Sequence, residues 1–399
     1  MKGPGDPRMF RILTVFVLLL THASLRAAED PGSRFFWLVR DCLDTPGSID
    51  SMVERAAEAG ANGLMVQVVG RGEAYYDSSI LPPASFREGF DPLAYIISRA
   101  RPRGIEVHAW VNAFLVWSAE SPPPDSSHVW HSRPEWFMAD RYGRSTREYS
   151  RFECESAGLV GATLSPALPE VREFLADVAS EIAVNYNVDG IHLDYIRYPN
   201  PSFGFEQEAV GAFYLETGLD PMDIFRRHQA ADEVAEKWSD WKREMVTATV
   251  QTVRAVLRSD APGTLLSAAV MADPIEAASH YSSEWVYWLE SGLVDFVCPM
   301  AYTASTARAL ELAGLVTAFR PERVVYGIGV YNQSIQSALT GASEALSRGA
   351  GGVCVFSLNS LDPDSAWKLR NFWGETGSPV HPPAVSLFHR VSSGNEALH

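Results

Sequence analysis

Asp194 and Glu73 are the carboxylates of this chain best placed for acid–base chemistry. Asp194 closes a short apolar run, Val188-Asp189-Gly190-Ile191-His192-Leu193-Asp194, followed by Tyr195-Ile196-Arg197-Tyr198-Pro199. In a strand, Ile191 and Leu193 face one side and His192 and Asp194 the other, and Pro199 ends the element. In parallel α/β folds, ligands bind at the carboxyl ends of strands, so a carboxylate there is positioned for reaction. The competing reading pairs Asp194 with Arg197 and merely ties down the loop. Glu73 lies in Gly70-Arg71-Gly72-Glu73-Ala74-Tyr75, where two glycines let the backbone bend tightly. With Arg71 and Tyr75 it forms a candidate sugar-binding corner; an internal salt bridge of Arg71 with Glu73 or Asp77 is the alternative. Two carboxyl groups, one protonated and one acting as base or nucleophile, are the usual requirement of glycoside hydrolysis. A spacing of ~5 Å gives retention and ~6.5–9.5 Å inversion. Asp273 is the reserve second carboxylate, or a helix cap.

Candidate substrate contacts surround these groups. His108, Trp110 and Asn112 alternate along His108-Ala109-Trp110-Val111-Asn112 and share one face. His108 taken alone also reads as a core histidine, and Asn112 lies nearest the loop. His192, Arg197, Asp273, Tyr302 and Tyr331 fall at or near other strand ends. Convergence of His108, His192 and Asp194 on a metal is the weakest of these readings, and no His/Cys spacing suggests zinc. The expectation is therefore no metal and no cofactor.

The elements that must position these residues repeat eight times as strand and helix. Strands are expected at Phe35–Asp41, Gly63–Val69, Glu106–Ala113, Gly190–Tyr195, Leu265–Met271, Val294–Met300, Val324–Val330 and Gly352–Leu358. Most are continuous apolar runs, as parallel strands covered on both faces require. Helical periodicity separates them, for example Ile49, Met52, Val53 and Ala56 before Gly60. Eight βα units predict an α/β fold of the (β/α)8 TIM-barrel type, with long insertions after strands 3 and 4. A doubly wound open sheet is the runner-up, but no GxGxxG turn follows the first strand. The first insertion, about 117–163, is rich in aromatics (Trp117, Trp130, Trp136, Phe137, Tyr142, Tyr149 and Phe152); the second runs over about 200–240.

The chain has 399 residues and a net charge of −16. That charge opposes nucleic acid or an anionic membrane surface as partners. Residues 1–28 read as a secretory signal: Lys2, Arg8 and Arg11 precede the apolar run Ile12–Leu20, and Ala23, Ser24, Ala27 and Ala28 offer small residues for cleavage. The run is too short for a mature anchor, so a secreted or periplasmic protein without stable membrane insertion is expected. Residues 29–374 are assigned to one barrel domain and 375–399 to a disordered tail. Cys298 and Cys354 lie in apolar strand-like runs, whereas Cys42 and Cys154 lie in loops that an oxidising compartment would let pair.

Taken together, the segments Asp189–Pro199, Gly72–Tyr76 and His108–Asn112 resemble the glycosyl hydrolase-like family 10 pattern of bacterial secreted barrels. Leu164-Ser165-Pro166, Pro169-Glu170-Val171-Arg172 and the set Trp288, Gly292, Asp295, Pro299, Met300 and Tyr302 fit the same pattern. The resemblance covers roughly Phe35 to Trp373. It departs at Glu73, where the family more often has Asp; near Ala113, where Pro is common; and at Tyr195, which replaces a second Asp. A fainter likeness links the chain to family 18 chitinases and their DxxDxDxE strand. Asp189 and Asp194 match its first and third aspartates, and Met300-Ala301-Tyr302 its sixth strand. His192 replaces the middle aspartate and Ile196 the acid glutamate, so hydrolysis through that glutamate is unavailable at its usual position.

The resemblance implies a glycosidase, with peptidoglycan glycan chains as the expected substrate class for some members. The expected function is hydrolysis of O-glycosyl bonds in a polysaccharide, with Asp194 and Glu73 catalytic and an oligosaccharide or glycan strand as the partner. A non-catalytic carbohydrate-binding barrel is the alternative, and a metal-dependent amide hydrolase a weaker third.

Overall fold

The computed structural model describes residues 32–84, 89–226, 231–331 and 333–375. The signal expected over 1–28 lies outside them, as does the tail apart from Glu375.

Eight parallel strands close into a barrel: β1 (Ser33–Leu38), β2 (Gly63–Val69), β3 (Glu106–Asn112), β6 (Gly190–Asp194), β7 (Leu265–Met271), β8 (Phe296–Met300), β9 (Val325–Gly329) and β10 (Gly352–Phe356). The order round the barrel is β1-β10-β9-β8-β7-β6-β3-β2. A separate antiparallel pair, β4 (Leu115–Trp117) and β5 (Ala162–Thr163), clasps the base of the first insertion. Strands of two or three residues are below what periodicity detects, and this pair was not anticipated. The barrel confirms the (β/α)8 expectation and rules out the open sheet.

Several strands stop short of their expected ends because the chain turns into site-forming loops. Asp41 belongs to a 3-10 turn, Arg40–Cys42, rather than to β1. Tyr195 follows β6 with φ of 51°, in the left-handed region, which costs a non-glycine residue about 1–3 kcal/mol.

Alternation divides the side chains into two cores. Outward residues such as Phe36, Val66, Val107, Leu193 and Val355 pack under the helices. Burying each such side chain contributes about 1.5–3 kcal/mol. Inward residues fill the barrel: Phe35, Trp37, Met65, Trp110, Leu265, Phe296, Cys298, Val325 and Cys354. Gly190 is required within this lattice. A Cβ there would collide with the His108 ring, which stands beside it across the β3–β6 register.

Helix starts follow local chemistry. Thr45 and Asp91 accept backbone N–H bonds at the starts of Pro46–Glu58 and Pro92–Ala100, each with proline in its first turn. No helix of the described residues is long and apolar enough to cross a membrane.

All four cysteines are free thiols. The pairing considered for Cys42 and Cys154 is therefore absent. Cys42 Sγ instead accepts from Asn359 Nδ2 at 2.9 Å, and Cys154 is buried in the helix Arg151–Ala157 near the Tyr149 carbonyl.

Candidate active site at the mouth of the barrel

A cavity of about 250 Å³ opens at the carboxyl ends of the strands, and Asp194 lines it together with Trp37, Arg40, Trp110, Asn112 and Arg197. Gln67, Tyr195, Met300, Tyr302 and Phe356 complete much of the wall. Ligand sites commonly span ~300–1,000 Å³, so this one suits a single ring of a polymer. A larger hollow of about 760 Å³ lies among outer helices beside Leu310, Gln336 and Trp367. It has no strand-end residues and none of the site candidates.

Register explains the convergence. Asn112 pairs with Asp194 and Trp110 with His192 across β3 and β6. Asp194 is 7% exposed, and its Oδ1 accepts the Tyr195 N–H at 2.7 Å. Burial raises its pKa, opposed by the Arg197 charge, the Tyr195 N–H and the neighbouring Trp110 indole. The Trp110 N–H favours the carboxylate without reaching hydrogen-bonding geometry. Arg197 does not pair with Asp194 as the loop-tying reading required. Its Nε and Nη1 are buried without partners, and its guanidinium lies over Tyr195 and Tyr281, 4.7 and 5.3 Å from the ring centroids.

A hydrogen-bonded relay builds the opposite wall. Arg40 Nη1 donates to Gln67 Oε1 at 3.1 Å, Gln67 Nε2 to Asn112 Oδ1 at 3.3 Å, and Asn112 Nδ2 to the Gly70 carbonyl at 2.7 Å. A Cβ at Gly70 would fall 2.6 Å from Arg40 Cδ, so glycine lets the arginine lie against the turn. Trp37, Arg40 and Gln67 were not anticipated as site residues, and Met300 and Phe356 were read only as parts of strand-end motifs. Gln67 carried a usable signal, a lone amide in the run Leu-Met-Val-Gln-Val-Val that must find partners when buried.

Glu73 is half-buried on the turn after β2 and is not among the residues lining the Asp194 cavity. Burial raises its pKa, while Arg71 and Arg40 pull it down and Asp125 pushes it up. Arg40, a cavity residue, thus also acts on Glu73. Arg71 donates to Ser118 Oγ at 3.2 Å, and Tyr75 is buried, its hydroxyl pushed up to about 12 by desolvation. Tyr302 lines the cavity, with Tyr331 edge-on to it at 6.1 Å and 56% exposed.

The two histidines lie below this level. His192 is fully buried; its Nε2 accepts from Trp37 Nε1 at 3.0 Å and its Nδ1 lies 2.9 Å from Ser267 Oγ. Because the indole can only donate, Nδ1 carries the imidazole proton. Burial lowers the His192 pKa to about 3, so the ring is neutral. His108 is also fully buried, with Nε2 3.3 Å from Glu106 Oε2. Asp189 lies at the opposite end of β6, where its Oδ2 accepts the Val107 N–H. Among the described residues no cluster of three or more His, Cys, Asp or Glu is placed to hold a metal.

Asp273 is an N-cap. Its Oδ1 accepts from Ile275 and Glu276, and its Oδ2 from Arg308 at 2.9 Å. Burial alone would raise its pKa, but Arg308 and the two N–H groups hold it below the usual range. The aromatics of the first insertion do not reach the cavity either: Trp117 and Phe137 are buried in the core shared with the barrel helices, Trp136 packs on Phe174 and Tyr149 on Phe203, and none of the seven named above lines the Asp194 cavity.

Comparison with known proteins decides the family. A model of the family described as "Glycosyl hydrolase-like 10" matches residues 37–343. The chain belongs to this family. The Bacillus subtilis protein "Glycosyl hydrolase YngK" is 22% identical over 277 residues, 63% of this chain and 48% of its own length. "Glycosyl hydrolase DigH" of Escherichia coli K12 is 25% identical over 278 residues, 61% of this chain and 55% of its own. The chain thus spans about half the length of the curated relatives it matches. Among solved structures, the PgaB (BpsB) glycoside hydrolase domain of Bordetella bronchiseptica superposes with a TM-score of 0.67 at 17% identity, covering 86% of this chain and 99% of that one. A beta-galactosidase from Rahnella sp. R3 gives 0.61 at 14% identity, covering 93% and 61%. Likeness at this identity establishes the barrel shared with glycoside hydrolases.

Proposed function

We propose that this protein hydrolyses O-glycosyl bonds in a polysaccharide, with the glycan strands of peptidoglycan as its substrate class. The observation that carries the reading is Asp194, a buried carboxyl of raised pKa lining a strand-end cavity in a glycosyl hydrolase-like barrel. Raised pKa keeps a carboxyl protonated where a general acid must be. Asp194, in the drier place, donates its proton to the glycosidic oxygen as the bond to the anomeric carbon breaks. Glu73, half-buried beside Arg40, serves as the second carboxylate and draws a proton from the attacking water. Trp110, Asn112 and Tyr302 orient the ring.

Purified glycan strands should yield new reducing ends with the wild-type chain, and at least about 10²-fold more slowly with Asp194→Asn. The second reading, binding without cleavage, is favoured by one observation: Asp194 is the sole carboxylate among the described residues lining the cavity. Saturable glycan binding with no reducing ends released would establish it.

We further propose export, from the basic start, apolar run and alanine cluster of residues 1–28. Mass spectrometry of the exported protein should find an N-terminus near Ala28 or Glu29; intact Met1 in cytosolic material would refute it.

A further inference from the structure

A second cavity, of about 540 Å³, lies where the two insertions meet the long helix Ala231–Asp260. Its lining includes Tyr142, Tyr149, Phe205, Phe225, Trp238 and Lys242. Two features set it apart from a gap between loops. The first is an aromatic entrance. Tyr142 is 78% and Phe225 39% exposed, and the Arg141 guanidinium lies over both rings at 4.7 and 4.9 Å. Large exposed aromatics braced by a cation present rigid faces to a ligand at small entropic cost.

The second feature is unspent donor capacity deeper in. Trp238 is 2% exposed, packed edge-on to Phe213 and stacked on Trp241, yet its indole N–H has no partner. Leaving such a donor buried and unsatisfied costs about 1–3 kcal/mol, which an incoming acceptor would recover. Lys242 is 3% exposed; its ammonium lies over the Tyr198, Phe205 and Trp238 rings at 5.0, 6.0 and 6.0 Å and makes two long hydrogen bonds, to the Pro201 and Phe203 carbonyls at 3.3 and 3.5 Å. An ammonium has three protons to give. Acceptors on the wall are already occupied: Asp140 takes the Tyr142 and Arg144 N–H groups and the Tyr149 hydroxyl.

The complementary ligand has an apolar face for the aromatic rings and an exocyclic carbonyl oxygen for the buried donors. A pyranose with an acetamido group has both. We propose that this cavity is an accessory binding site for N-acetylated sugar units, distinct from the Asp194 cavity. Its assignment to sugar rests on the glycan-hydrolase reading above. The two cavities share the turn that runs from Ala157, which lines this one, to Val160, which lines the other. A polymer held here is therefore presented on the same side of the barrel as Asp194.

The test is binding to the full-length chain carrying Asp194→Asn, with chitotriose as probe and cellotriose, which lacks the acetamido group, as control. Indole N–H resonances are followed by NMR, with Trp238 assigned through Trp238→Phe. Chitotriose should shift the Trp238 resonance saturably, and cellotriose should do so at least about tenfold more weakly. Tyr142→Ala with Phe225→Ala, both at exposed positions, should weaken the Trp238 response about tenfold or more and leave melting unchanged. Calorimetry with and without those two substitutions gives the same comparison without any assignment and should lose one binding event. A Trp238 resonance unmoved at millimolar chitotriose overturns the proposal. So does equal affinity in the Tyr142→Ala, Phe225→Ala protein, or equal response to the two sugars. Trp37 and Trp110 report the Asp194 cavity independently. Shifts confined to them reject this site and leave the hydrolase reading intact; absence of cleavage by the wild-type chain with Trp238 still responding does the reverse.

Discussion

The ends of β6 and β7 stand side by side in the barrel, each finishing at or just before an aspartate, and the two aspartates have opposite chemistry. Asp194 has one backbone N–H, no ion pair, little exposure and a raised pKa. Asp273 has two backbone N–H groups and Arg308, and a lowered pKa. Residue type and strand-end position do not separate them. The count of donors facing each carboxylate does, because every donor favours the charged form and burial opposes it.

The strongest way to break the contrast is to neutralise each side in turn. Asp194→Asn should lower glycan cleavage by about 10²–10⁴-fold, the usual worth of a positioned general acid, whereas Asp273→Ala should leave it within about twofold. Equal losses would end the distinction. Glu73→Gln should reduce cleavage by about 10²-fold or more with the melting temperature unchanged. Unaltered turnover would remove Glu73 from the mechanism.

Stability should move in opposite directions at the two positions. The folded pKa of Asp194 lies above its unfolded value, so the native state holds that proton more tightly. Its contribution is complete below the unfolded pKa and lost as pH rises through the folded one. Asp194→Asn should therefore raise the melting temperature relative to wild type at neutral to alkaline pH, with the gain vanishing in acid. Asp273 has the depressed pKa, and its contribution is present above the unfolded value and lost as pH falls through the folded one. Asp273→Ala should cost about 1 kcal/mol at neutral pH, and less in acid. Thermal scans across pH on both variants check the signs. The smallest effect is expected at Arg197, whose charge opposes the rise at Asp194. Arg197→Met should move the alkaline limb of kcat/KM upward, since the acid then keeps its proton longer. A downward move would place Arg197 in another role.

Much of the barrel was legible because most of the eight runs, such as Leu-Leu-Ser-Ala-Ala-Val-Met, are short and continuously apolar and alternate with helical patterns, as doubly covered strands require. Asp194 was legible for the complementary reason, a charge at the end of such a run. What sequence did not show is who meets whom across the closed ring. His192 looked like a pocket residue, yet it is satisfied by Trp37 and Ser267 from β1 and β7. Arg40 fell within the first expected strand, yet it lies in the turn after β1, where it braces Gln67 and bears on Glu73. These pairings depend on closure and register, which local periodicity does not encode. Asp273 was ambiguous for a subtler reason. Its cap was foreseeable from the proline after it, but Arg308 comes from a helix one unit further on.

Glu206 has a consequence for motion. Its buried carboxylate accepts the Ser165 hydroxyl and the Ala139 N–H, both belonging to the stretch that follows the third barrel strand, while Glu206 itself follows the fourth. With the Gly204 and Phe205 N–H groups, which both donate to the Ala139 carbonyl, it ties the two long loops to each other. Loops tied in this way are expected to move as a single plate rather than as separate lids. Amide exchange on the two loops should slow and quicken in step, and entry of a chain-like substrate would be timed by that common movement rather than by either loop alone.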